Sequence, residues 1–360
     1  MFEINNTSII EASTYINLSN VGISEESLPF LRFYNILVLL VGILGNTLVL
    51  SGLLDHKVMK IDVISRLLLQ NLAVADIFYT LFQFLPSLTT LFARRWVFGI
   101  NMCLVQQIAA TVFAVNEIRV VMLLSCYRLW FVHQPSLLGS STMTKVVHVR
   151  WALVGLFCHD VVVHVAYHMT GDTITSYELQ TLSCNVRTSK YILKTALSLY
   201  FIVVPILMTL VANAITICAI LRFCTQKKNT NRPYRKATLT ILTISIAFLI
   251  SYTPFLIQMF IPGKMPTWYR LTSMYFLTVN IVCNPFIYAI FDSGFIVYIK
   301  DLCIAALYNV LVCYDYTIDQ CQGTLHYGEE GSTFYSFEMM NFSELRALNE
   351  ARQAQMVERV

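Results

Sequence analysis

The sequence predicts an all-α membrane protein: a bundle of seven transmembrane helices followed by a short amphipathic eighth helix. Hydrophobic residues make up 56% of the 360 and charged residues only 13%, where soluble globular chains carry about 25% charged residues. Seven apolar segments, at approximately 33–54, 67–92, 103–131, 149–169, 192–223, 237–261 and 267–291, mostly reach the roughly 20 residues that a helix needs to cross the hydrocarbon core. The loops between them are charged unequally. Lys57, Lys60, Arg66, Lys145, Arg150, Arg222, Lys227, Lys228, Arg232, Arg235 and Lys236 lie on one side, against Arg94, Arg95, Arg187, Lys190, Lys264 and Arg270 on the other. The positive-inside rule then puts the amino terminus outside and the carboxyl terminus in the cytoplasm. A net charge of +4, weak and scattered, gives no reason to expect a nucleic-acid partner.

Residues 1–30 read as a polar, acidic extracellular tail with glycosylation acceptors at Asn5, Asn6 and Asn17. No basic stretch with a short apolar core and cleavage site precedes them, so the first spanning helix is expected to act as the insertion signal. The seven-helix bundle is expected over 31–292. Its third segment organises the rest, because the 25 steps from Cys103 to Arg128 cover roughly 38 Å of helix, about a bilayer with its interfaces. After the bundle, Asp292-Ser293-Gly294 interrupts the apolar run. Residues 293–310 then suit an amphipathic helix on the inner leaflet, with Cys303 as a candidate for palmitoylation. Residues 311–360 read as a cytoplasmic tail, with Thr317, Thr324, Ser332, Thr333, Ser336 and Ser343 as candidate phosphate acceptors.

One mark falls in each helix, in order: Gly45-Asn46, Leu72-Ala73-Val74-Ala75-Asp76, Cys103 with Arg128 and Pro135, Trp151, Pro205, Phe248 with Pro254, and Asn284-Pro285-Phe286-Ile287-Tyr288. Trp96-Val97-Phe98-Gly99 and Cys184 stand in the outer loops. Together they resemble a rhodopsin-like (class A) G-protein-coupled receptor over about residues 30–305. The resemblance implies a plasma-membrane, multi-pass receptor that binds an extracellular ligand among its helices and activates a heterotrimeric G protein, with membrane lipid around it and arrestin as a candidate partner at the tail. Arg128 with Tyr127 would meet the G protein, and Tyr252, Pro254, Asn284, Pro285 and Tyr288 would form the activation switch. Each mark also has a physical reading: Pro205, Pro254 and Pro285 remove backbone bonds in mid-helix and leave bends.

Most of the ten cysteines lie within helices or on the cytoplasmic side, where thiols stay reduced. Cys103 and Cys184 both fall outside, and a disulfide between them is expected to pin the long loop over the bundle. Departures from the family pattern are equally specific. Tyr127-Arg128-Leu129 replaces Asp-Arg-Tyr, Tyr252 replaces the sixth-helix tryptophan, Asn213 stands for a tyrosine, and Thr278 occupies the place of a retinal-binding lysine, which argues against an opsin. Without a carboxylate at Tyr127 or Tyr234, Arg128 is expected to be loosely held, giving ligand-independent signalling.

The expected ligand pocket comprises Ala110, Thr111, Ala114, Lys194, Leu197, Ser198, Phe201, Tyr252, Phe255, Leu256, Met259, Arg270, Met274 and Thr278. Ala110 stands where amine receptors place an aspartate, so the ligand is expected to be peptide or lipid-like and not a biogenic amine; the rim cations suit an acidic group. Asn46, Asp76, Glu117, Asn280 and Asn284 are polar groups that lipid would not tolerate and are expected to converge. The resemblance brings Asp76 and Glu117 together, a pair expected to share a proton or to hold a sodium ion; no other cofactor is expected. Glu117 turned toward another helix is the competing reading. Asp160, His164 and His168 recur every four residues on the fourth helix, read as interhelical hydrogen bonding, with no metal site. A seven-helix scaffold or ligand sink that does not couple remains the alternative, with a transporter behind it; no nucleophile and base pair suggests an enzyme.

Overall fold

The computed structural model describes residues 25–55, 58–59, 61–133, 142–169, 173–178, 183–188, 190–225, 232–260 and 265–307. Seven of its helices are long and apolar enough to cross a membrane. They are α1 (Glu25–Leu54), α2 (Val63–Ala93), α3 (Gly99–His133), α4 (Thr142–Met169), α5 (191–225), α6 (Arg232–Phe260) and α7 (Thr267–Phe291). Residues 293–307 form a further helix, α8, in a separate compact unit.

Local chemistry sets the ends. The side chain of Asp62 caps α2 by accepting from the Ser65 backbone N–H at 3.0 Å. Arg94 closes α2 in the left-handed region at φ 54°, and Gly99 opens α3 at φ 73°, where glycine alone carries no steric penalty. The first helix begins before the expected boundary at 31–33, because Pro29 sits in its first turn, with its φ fixed for a helix start, and Glu25 and Glu26 dilute the apolar signal there.

Two features went unforeseen. A two-stranded antiparallel hairpin, β1 (Thr173–Glu178) and β2 (Ser183–Thr188), follows α4 and pairs Tyr177 with Cys184. Within α1 and α5 lie π turns at Val41–Gly45 and Leu199–Val203. The second ends two residues before Pro205, whose ring would otherwise meet a carbonyl of the preceding turn.

The bundle interior carries the cluster Val38, Leu39, Tyr79, Phe84, Ala110 and Ile281, drawn from α1, α2, α3 and α7. Close approach depends on two glycines of α1. A Cβ on Gly45 would stand 2.7 Å from the ring of Pro285, and one on Gly42 2.7 Å from the Thr80 hydroxyl. Large apolar side chains such as Trp151, Ile192 and Ile290 are exposed on the outside. This is the inverse of a water-soluble surface and suits contact with lipid.

Candidate functional site

Three polar centres lie along the bundle. The middle one is a chamber of fully buried groups from α1, α2, α3, α6 and α7. Asn284 donates to Asp76 Oδ2 at 2.7 Å, Asn46 donates to the carbonyls of Gly42 at 2.9 Å and Ile281 at 3.2 Å, and the Tyr252 hydroxyl donates to Glu117 Oε2 at 3.4 Å. The Asp76 and Glu117 carboxyls lie close enough to interact directly. Among the described residues, Asn46 Oδ1, Asp76 Oδ1, Glu117 Oε1, Asn284 Oδ1 and both polar atoms of Asn280 have no protein partner. Ionised carboxylates only accept hydrogen bonds, so two of them can face each other only with a proton or a cation between them. Glu117 lies beside Asp76 and also accepts from Tyr252 of α6, so each of the two expected orientations is met in part. Arg119 takes no part: it lies on another face and pairs with Asp160 at 2.5 Å.

At one end of α3, Arg128 is 2% exposed and donates to Asp62 Oδ1 at 2.7 Å and to Ser65 Oγ at 2.8 Å. The expectation of a loosely held arginine is overturned. Its carboxylate comes from the start of α2 and not from the position just before it, so local sequence around Tyr127 gives no hint of it. Nearby, the Ser125 and Ser245 hydroxyls meet at 3.1 Å and tie α3 to α6.

At the other end, Cys103 and Cys184 form a disulfide with Cα atoms 5.5 Å apart. It fastens β2 to the mouth of α3. Trp96 stacks on Tyr177 of β1 at 4.8 Å between ring centroids and donates from Nε1 to the Gly99 carbonyl at 2.8 Å. Burial pushes the Tyr177 phenol well above its ordinary value, opposed by a hydrogen bond to Thr90.

Of the expected pocket residues, Thr111, Ala114, Leu197, Ser198, Phe255, Leu256, Met259, Arg270 and Met274 are partly exposed and Lys194 is exposed. Thr278 is fully buried, 2.5 Å from the Tyr34 hydroxyl and bonded to the Tyr275 carbonyl, and Tyr252 is buried on Phe248. Ala110 packs into the apolar cluster of α1, α2 and α7. Phe201, within the π turn of α5, is 2% exposed and packs between Arg119 and His164. Cys303 is exposed on α8. Asn5, Asn6, Asn17, Tyr234 and the tail acceptors lie outside the described residues.

Sequence reasoning missed the ion pair between Arg119 and Asp160, with side chains 7% and 0% exposed. The Arg119 guanidinium lies over the rings of Phe201 at 5.0 Å and Tyr200 at 5.6 Å, His159 Nδ1 sits 3.2 Å from Asp160, and His164 Nδ1 bonds the Asp160 carbonyl at 2.8 Å. The four-residue spacing of Asp160 and His164 was visible; their partner on α3 was not. Among the described residues no cluster of metal-ligating side chains occurs.

Seven helices fit to cross a membrane enclose a polar chamber, a disulfide fastens the hairpin to α3 at one end, and the match to a receptor family makes this a multi-pass membrane receptor, a class that is not enzymatic. The family model described as "7 transmembrane receptor (rhodopsin family)" matches residues 45–288, and the chain belongs to that family. A purinoceptor of Meleagris gallopavo is 27% identical over 258 residues, covering 68% of this chain and 66% of the relative. Its counterpart from Gallus gallus is 26% identical over the same coverage, so the chain spans about two-thirds of the length of these relatives. Squid rhodopsin shares the fold with a TM-score of 0.61 at 18% identity, covering 76% of this chain and 84% of that one.

Proposed function

We propose that this chain is a plasma-membrane receptor with its amino terminus outside, which binds an extracellular peptide or lipid-like ligand between its helices and activates a heterotrimeric G protein. The observation that supports it best is the buried chamber, in which Asn284 of α7 and Tyr252 of α6 bond to carboxyls of α2 and α3. Pro254 and Pro285 interrupt the backbone ladders of those same two helices. Tilting either helix about its proline must remake these bonds, so chamber and hinges form one bistable unit. The sequence of α6 and α7 around Tyr252, Pro254, Asn284, Pro285 and Tyr288 thus serves as the switch, and Arg128 as the contact with the G protein. A shared proton or a sodium ion between Asp76 and Glu117 belongs to this reading. Asp76 Oδ1, Glu117 Oε1 and Asn280 Oδ1, all without a protein partner, are the atoms suited to hold it.

A purine ligand is a second reading, favoured by the match to purinoceptors and by Arg270 and Lys194 at the same mouth of the bundle. Screening peptide, lipid and purine libraries on full-length receptor in cells, with G-protein activation as the readout, tests both. A hit lost on substitution of Met274 or Phe255 supports the pocket. Absence of activation by every library together with absence of basal activity overturns coupling in favour of a scaffold or ligand sink.

A further inference from the structure

The helix α6 changes partners at its proline. Toward the Arg128 end, Tyr252 donates to Glu117 of α3 at 3.4 Å and the Ser245 hydroxyl meets that of Ser125 of α3 at 3.1 Å. From Pro254 toward the disulfide end, its bonds run to α7 instead. The Tyr269 hydroxyl donates to the Pro254 carbonyl at 3.1 Å, and the fully buried Ser273 hydrogen-bonds to the Gln258 side chain. We propose that Tyr269 is a positioning residue: with Ser273 it braces the last turns of α6 against α7, so that these two walls of the ligand mouth keep one spacing and bending at Pro254 falls to the segment tied to α3.

The order of the residues makes this a brace. The two helices run antiparallel, and Tyr269 lies nearer the mouth than Ser273 while Pro254 lies deeper than Gln258, so the two bonds cross. Sliding α7 toward the mouth stretches the bond from Tyr269; sliding it inward stretches the one from Ser273. A helix carbonyl has two lone pairs and its ladder uses one, so Pro254 accepts the phenol without loss to α6. Proline supplies no N–H to the turn before it, which leaves α6 weakest just where its partner changes. The brace sets the distance between Phe255 and Met259 on one wall and Arg270 and Met274 on the other, all of them expected to line the pocket. The inference rests on the receptor reading above and names what holds its ligand mouth in shape.

Tyr269→Phe keeps the ring and removes the bond. In purified full-length receptor in lipid nanodiscs, it is expected to speed amide exchange over 255–260 about fivefold, the shift that loss of one neutral hydrogen bond produces in a local opening, and to leave 239–250 unchanged. Ser273→Ala is expected to give the same pattern, and Ser273→Thr, which keeps the hydroxyl, to stay near wild type. General loosening would raise exchange on both sides of Pro254, so the split between them distinguishes a brace from a packing defect. Spin labels at the exposed positions Phe260 and Trp268, after replacement of the exposed Cys158, Cys218 and Cys303 by serine, are expected to show a broader distance distribution in Tyr269→Phe. Unchanged exchange and distances in that variant overturn the brace, as does an equal rise over 239–250. If Tyr269→Phe fails to reach the membrane, Ser273→Ala decides by the same two readouts, and wild-type behaviour in both overturns the proposal. The expected split without G-protein activation in any form, wild type included, supports the brace and overturns the coupling reading instead.

Discussion

Replacing Asp160 by alanine strands Arg119 between α3, α4 and α5. Its side chain is 7% exposed, so water cannot take the place of the carboxylate 2.5 Å away. Breaking a buried ion pair from one side costs about 3–5 kcal/mol. The rings of Phe201 and Tyr200 lie over the guanidinium at 5.0 and 5.6 Å in wild type and variant alike and so drop out of the difference, and the expected loss is at least about 3 kcal/mol. For a domain of this size that corresponds to a fall in melting temperature of roughly 6–12 °C, readable from intrinsic fluorescence of detergent-purified receptor. Removing both charges, as Arg119→Met with Asp160→Leu, is expected to recover most of the loss, since an apolar pair of similar volume replaces a buried ion pair at little cost. A single variant that melts with wild type, or a double variant as unstable as Asp160→Ala, refutes the coupling between these residues.

Glu117→Gln removes one of the two facing carboxyls and is expected to weaken the dependence of agonist response on sodium and on pH while expression holds; superimposable curves for wild type and variant count against a shared proton or ion. Gly45→Ala drives a Cβ to 2.7 Å from the rigid ring of Pro285 and is expected to cost about 1–3 kcal/mol, measurable as a lower melting temperature. Non-reducing digestion and mass spectrometry should recover the Cys103–Cys184 peptide pair, and Cys184→Ser should loosen the hairpin, seen as faster amide exchange over 173–188.

Much of the fold was legible because lipid imposes a simple rule: a span must be long, apolar and helical, and the polar residues within it must meet one another. Asn284 bonds to Asp76, and Asn46 reaches across to the Ile281 carbonyl of α7, for that reason. Glu117 was placed beside Asp76 by what the family resemblance implies at that position of the third helix. What stayed hidden depends on contacts between distant segments or on local breaks in helical geometry. Asp62 lies 66 residues from Arg128, and Asp160 lies on another helix from Arg119. No periodicity reports such pairings. The hairpin escapes sequence reasoning because Thr173–Glu178 and Ser183–Thr188 are short, mixed strands inside a loop, stabilised in part by the disulfide and by Trp96 packing on Tyr177.

The π turn at Leu199–Val203 changes how α5 is to be numbered against any helix of regular winding. Each residue of an α-helix advances about 100° around the axis, so one residue taken up in a wider turn rotates everything on its far side by about that angle. Positions counted backward from Pro205 as though the winding were uniform therefore land on the wrong flank: Phe201 faces α4 and Arg119. A cysteine-accessibility scan along 191–215 should show its pattern break phase at 199–203, with Lys194, Leu197 and Ser198 following a stripe offset from that of Ala212 and Thr216.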